Sequence, residues 1–112
     1  MKPARIQLDT DFEEDGLYSI TFWFQNSELP SYLSLARDEI EDPEFSYIEA
    51  EDQKYGFRAN DLSFTINREN VGLSFSANSD NKFFWNESKY IEIEVPANEL
   101  KKVERYLAHI CK

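Results

Sequence analysis

Hydrophobic and polar residues alternate along most of this chain, and the alternation has a period of two. Leu17 to Gln25 is the clearest case. Tyr18, Ile20, Phe22 and Phe24 fall on one face, and Leu17, Ser19, Thr21 and Trp23 on the other, as in a half-buried β-strand. Ile6 and Leu8 alternate with polar neighbours and predict a shorter strand over residues 4–9. Asp15-Gly16 is a turn pair, so these two strands predict a hairpin with an acidic tip at 9–16. Asn26 to Ser31, with Pro30, reads as a turn. Tyr32 to Arg37 then predicts a strand with Leu33 and Leu35 pointing one way. Asp38 to Glu44 is a charged loop closed by Pro43. Phe45 to Glu51 predicts another strand, and Asp52 to Gly56 reads as a turn.

Two later runs pair by inspection. Leu62, Phe64 and Ile66 alternate in one, and Val71, Leu73 and Phe75 in the next. The four residues Asn67 to Asn70 lie between them, a hairpin spacing. Residues 77–88 form a polar loop interrupted by Phe83, Phe84 and Trp85. Tyr90 to Val95 predicts a last strand with Ile91, Ile93 and Val95 inward. The period then changes. Leu100, Val103, Leu107 and Ile110 mark one face of a helix, with Pro96 and Glu99 suited to its start. A single helix of this length needs a surface to cover its stripe. The expected fold class is α+β: an antiparallel sheet of six or seven strands with a C-terminal amphipathic helix packed on one face. Residues 1–112 form a single domain in this reading, without repeat or linker.

Composition supports a folded chain. Of 112 residues, seventeen are aromatic, enough to build a core despite 30% charged residues. Cys111 is the only cysteine, which excludes an intrachain disulfide and a cysteine-rich zinc site. The first nine residues carry positive charge with no apolar run behind it, and no stretch approaches a membrane span. The expected location is the cytoplasm.

Charge changes the picture more. The segment from Asp9 to Asp52 holds fourteen acids against Arg37 alone, a charge of −13, whereas the other residues carry eleven bases and eight acids. A field of that sign repels nucleic acid and anionic membrane and attracts basic proteins; it also keeps a domain soluble.

The chemical motifs are poor by comparison. Asp9 to Gly16 has calcium-loop spacing up to Gly16, but counting from Asp11 the twelfth position is Phe22, which offers no oxygen. No metal and no cofactor are expected. His109 and Cys111 stand two apart on the helix, about 200° around it, so they do not form a nucleophile pair. Acid pairs suited to glycoside hydrolysis are too numerous here to single one out, and no Gly-rich or Ser-centred motif appears. No catalytic residue is assigned, and the chain reads as a non-enzyme.

The segment with most character runs from Tyr32 to Gly56. Leu33 and Leu35 lead to Arg37; an acidic loop follows, then Tyr47 with Glu49, then Asp52-Gln53 and Gly56. A purely structural reading pairs Arg37 with an acid such as Glu49 across neighbouring strands and lets Asp52-Gln53 satisfy turn amides. The same elements resemble the immunity protein 10 family of bacterial polymorphic-toxin systems, with Phe57-Arg58-Ala59 in place of a further glycine and aliphatic residue after Gly56. The resemblance implies a non-enzymatic protein that binds and neutralises a cognate toxin in the producing cell. An acidic protein of this kind suits a basic toxin such as a nuclease. The expected toxin-binding residues are Glu39, Glu41, Asp42, Glu44, Glu49, Glu51 and Asp52 as the acidic contact, with Tyr47 and Tyr55 as aromatic anchors. The alternative is a small ligand-binding or regulatory domain whose pocket uses Trp23, Phe83, Phe84 and Trp85; core packing is the commoner use of such aromatics. A carboxylate-dependent enzyme is a third, weaker reading.

Overall fold

A computed structural model of the chain describes residues 3–25, 28–83 and 85–111. Among these residues, eight strands form two antiparallel sheets. The first sheet contains β1 (Arg5–Asp9), β2 (Leu17–Trp23), β3 (Tyr32–Asp38), β4 (Ser46–Ala50) and β5 (Asp52–Ala59), neighbouring one another in chain order. The second contains β6 (Ser63–Asn67), β7 (Asn70–Ser74) and β8 (Tyr90–Glu94). Helix α1 (Leu100–Ile110) follows a short 3-10 turn at Ala97–Glu99 and lies across β2 and β3.

The α+β class and the terminal helix match the sequence reading; the single six- or seven-stranded sheet does not. Alternation marks which residues face inward, but not which neighbouring strand shares a ladder. The break falls at Asp61. Its carboxylate accepts from the Ser76 amide at 3.1 Å and the Asn81 side-chain amide at 2.9 Å, pinning the crossing into the second sheet. The sheets touch again where the Ala4 amide donates to the Glu94 carbonyl at 2.9 Å.

Residues 52–56 also differ from the reading as a turn: they begin β5. The chain reverses at Glu51, whose φ of 67° is a left-handed conformation seldom adopted by residues other than glycine. Asp52 to Tyr55 are exposed, so the first half of this edge strand has no inward residue to give it an apolar rhythm; Phe57 and Ala59 turn inward only later. The β6–β7 connection is tighter than expected, because Asn67 pairs with Asn70 and only Arg68-Glu69 turn the chain. Within the expected turn at 26–31, Asn26 and Ser27 lie outside the described residues, as does Phe84.

One core draws on both sheets and the helix. Ile20, Phe22, Leu33 and Leu35 come from β2 and β3, Val71 and Leu73 from β7, and Val103, Leu107 and Ile110 from α1. Alternation predicted the strand faces. The helical stripe is broader than read, since Tyr106 is buried too and its hydroxyl donates to Glu13 Oε2 at 2.7 Å. That bond satisfies the polar end of an otherwise apolar ring. Leu107→Ala is expected to cost about 2–5 kcal/mol in urea denaturation, because the side chain is fully buried. A loss under about half a kcal/mol would contradict the placement of this face.

Candidate binding surface

The inner face of β2 and β3 is covered by α1 and the inward residues of β4 and β5 join the same core, so functional side chains must come from the outer face of the first sheet and its loops. Strand alternation sends Ile48 and Ala50 of β4 inward and Tyr47 and Glu49 outward. Glu49 is a hub. It accepts from the Tyr32 hydroxyl of β3 at 2.5 Å and from the Tyr47 hydroxyl at 2.8 Å. The bond to Glu49 pushes the Tyr32 phenol up to about 12, and burial followed by the same carboxylate raises that of Tyr47, so both stay protonated donors at neutral pH. Tyr32 packs on Trp23 with ring centres 5.4 Å apart, which extends the aromatic row across β2. Gly56 completes the arrangement. The Tyr47 hydroxyl occupies the place a Cβ would take, so the ring lies across the glycine of the neighbouring strand.

The loop between β3 and β4 is held from three sides. Asp38 Oδ1 accepts from the amides of Ile40 at 3.0 Å and Glu41 at 2.8 Å, folding its first turn. From below, Arg37 donates to the Pro43 carbonyl. From the flank, Asp42 takes a two-pronged contact from Arg58, at 2.8 and 3.0 Å. The Glu39 amide donates to the Gly16 carbonyl, and His109 Nδ1 donates to Glu39 Oε1 at 2.8 Å while its ring stacks on Tyr18 at 3.8 Å. Gly16, at φ 82°, lets the β1–β2 tip meet Ile40 of this loop.

The nine expected contact residues therefore divide. Glu41, Glu44, Glu51 and Asp52 are exposed and Glu49 is half-buried; among the described residues, none of the five meets a lysine or arginine within ion-pair distance. Asp42 is half-buried in its pair with Arg58. Glu39 is turned toward α1. Glu51 accepts from the Ser31 amide and hydroxyl at 2.5 and 3.2 Å and shapes the β4–β5 reversal. Tyr47 and Tyr55 are exposed, at 38% and 40%. These residues form a strip along β4, with loop 38–44 at one end and Glu51-Asp52 at the other, about 16 Å apart by strand rise. The sequence reading missed Tyr32, Arg58 and Ile40, which is 66% exposed at the loop crest. Tyr32 shares its outward phase with Ser34 on β3, a signal present in the alternation.

Arg37 does not pair with Glu49. It is 4% exposed, on the inward phase with Leu33 and Leu35, whereas Glu49 projects from the other face. Its guanidinium donates to the Ile110 carbonyl at 2.8 Å and to Ser46 Oγ at 3.1 Å, besides Pro43. A cation thus sits on the last turn of α1, where orphan carbonyls concentrate negative potential. Asp52 does serve a local amide, that of Lys54, at 3.1 Å.

Other candidate chemistry disperses. Glu13 of the acidic tip binds Arg105 and Tyr106, and no group of acids, histidines or cysteines among the described residues could hold a metal ion. A chelator is expected to leave the melting temperature unchanged, and a calcium-dependent rise would contradict this. His109 bonds Glu39, and burial pushes the Cys111 thiol up to about 12, away from a nucleophilic thiolate. Trp23, Phe83 and Trp85 do not line one pocket: Trp23 faces outward on β2, and Phe83 is core. Among the described residues, no helix is long and apolar enough to cross a membrane.

Three carboxyls are held below their ordinary values of 4.5 for Glu13 and 3.8 for Asp42 and Asp61. The Tyr106 hydroxyl and then Arg105 act on Glu13, and Arg58 acts on Asp42. Burial works against ionisation of Asp61, but bonds from Ser79, Asn81 and the Ser76 amide outweigh it. Each folded value lies below its unfolded one. Their stabilisation is present above the ordinary values and lost as pH falls through the folded ones. Urea midpoints should therefore decline below pH 4.5, and Glu13→Gln should flatten that decline. An unchanged acid limb in the variant would contradict the pairing of Glu13.

Comparison with known protein families, curated proteins and solved structures finds no match for this chain.

Proposed function

We propose that this chain is an immunity protein of the type its 32–56 segment resembles: a non-enzymatic inhibitor that binds a basic cognate toxin, such as a nuclease, through the acidic strip along β4. The observation that carries this reading is the uncompensated charge of the strip. Glu41, Glu44, Glu49, Glu51 and Asp52 come from a segment of −13, and among the described residues none of them is in an ion pair. Glu41, Glu44, Glu51 and Asp52 are exposed, and acids without an ion-pair partner keep most of their long-range field, so they steer a cationic protein into encounter. The aromatic row supports the same reading. Tyr47 and Tyr32 are fixed by Glu49, and a rigid aromatic pays little side-chain entropy when it docks.

Inhibition in this mechanism is occlusion. The acidic strip covers the cationic surface with which a nuclease grips phosphates, or sits beside it and blocks substrate approach. The test is to mix the purified chain with the product of the gene immediately upstream of its own. A stable complex and loss of the partner's toxic activity are expected. A neutral or acidic upstream product that forms no complex would overturn the reading.

A further inference from the structure

Strand β8 is the edge of the second sheet, and its exposed edge runs beside an apolar cleft. The Phe75 amide donates to the Lys89 carbonyl and the Val95 amide to the Glu69 carbonyl, both at 2.8 Å. In an antiparallel ladder, that register turns the backbone groups of Ile91 and Ile93 toward β7 and those of Tyr90, Glu92 and Glu94 away from it. Two of these three outward positions are occupied. The Ser88 hydroxyl accepts from the Tyr90 amide at 3.1 Å and donates to the Tyr90 carbonyl at 2.7 Å, as a neighbouring strand would do. The Glu94 carbonyl accepts from Ala4. Between these plugs, no described residue bonds the Glu92 amide or carbonyl.

The cleft at this position has a volume of about 240 Å³ and is walled by Phe24, Leu29, Trp85 and Tyr90. Ligand pockets usually start at about 300 Å³, so this one suits a single apolar side chain better than a cofactor. Its rim is acidic. Glu92 is exposed, Glu94 follows, and the nearby cation Lys89 is turned to the Ala77 carbonyl at 2.8 Å.

We infer that the β8 edge is a docking slot for an extended peptide segment of a partner protein, with a short apolar stretch between basic residues. The open amide and carbonyl of Glu92 require a backbone that donates and accepts at one residue, which an extended strand supplies. The cleft takes the apolar side chain, and the carboxylates of Glu92 and Glu94 favour basic neighbours. A second copy of this chain is a poor occupant: symmetric β8 pairing about Glu92 would set the two Glu92 carboxylates against each other. The plugs at Tyr90 and Glu94 limit the contact to about 13 Å, or roughly three residues. This site belongs to the second sheet and does not depend on the acidic strip being the toxin surface.

The test uses the full-length chain, labelled with ¹⁵N, and the capped peptide Lys-Val-Leu-Val-Lys as probe. Three comparison probes are its glutamate-flanked counterpart, the peptide N-methylated at the central leucine, and buffer alone. Up to about 1 mM peptide, shifts are expected at the Glu92 amide and the Trp85 indole, with N-methylation weakening binding about tenfold. Glu92→Pro should abolish the shift at the Trp85 indole, the reporter that remains in this variant, because the amide it removes points away from β7 and the ladder survives. Glu92→Ala keeps the amide and should weaken binding only about threefold. Absent shifts, equal binding of the N-methylated or glutamate-flanked peptides, or concentration-dependent β8 shifts without peptide would each overturn the inference. The N-methylated peptide keeps the test decisive if Glu92→Pro fails to fold.

Discussion

Arg37→Ala is expected to destabilise the chain by about 3–6 kcal/mol, since hydrogen bonds to a charged group contribute about 1.5–3 kcal/mol each and two of its three acceptors are left without a second partner. The guanidinium is buried and holds the Ile110 carbonyl, Ser46 Oγ and the Pro43 carbonyl together. Ser46 bonds Ile110 as well, at 2.6 Å, so that carbonyl keeps one partner. The Pro43 contact is lost outright, and with it the anchor beneath the acidic loop. Arg37→Lys should recover only part of the loss, because an ammonium cannot span three acceptors placed around a planar fork. Urea denaturation measures both variants. A cost below about 1 kcal/mol for Arg37→Ala would mean that water replaces these bonds freely. Arg37→Lys supplies the readout if the alanine variant does not fold.

Arg37 also shows what could be read from the chain. Its inward phase was visible, because it alternates with Leu33 and Leu35. Its partner was not, because the acceptor is a backbone carbonyl 73 residues away, and carbonyls carry no residue identity. The hairpins of β1–β2 and β6–β7 were legible for the same reason that β5 was not. The former bury one face, and the latter starts with exposed polar residues on a sheet edge. The partition into two sheets was not legible: the crossing is held at Asp61 by bonds from Ser76 and Asn81, 15 and 20 residues away. In the binding surface, the position of the acids was plain, but their engagement was hidden. Glu39 meets His109 and Asp42 meets Arg58 at separations of 70 and 16 residues.

That division determines which acids should matter for a partner. Converting Glu41→Gln, Glu44→Gln and Asp52→Asn together is expected to slow association with a basic toxin by about tenfold at low salt. The amides are isosteric, and the Asp52 replacement keeps the oxygen that accepts from Lys54, so the fold should be untouched. A control set of Glu69→Gln, Asp80→Asn and Glu104→Gln makes the same change in net charge outside the 9–52 segment. All three control acids are exposed. At physiological salt it should slow association much less than the strip set does, because mobile ions there screen charges farther than about 8 Å from the encounter.

The most direct measurement is the association rate of the native chain and these two triple variants with the upstream gene product, followed as salt is raised. The acidic strip predicts a steep fall for the native chain and the control set, a flattened one for the strip variant, and dissociation rates that change little. Equal salt dependence in all three proteins, or a native association rate that does not respond to salt, would contradict it.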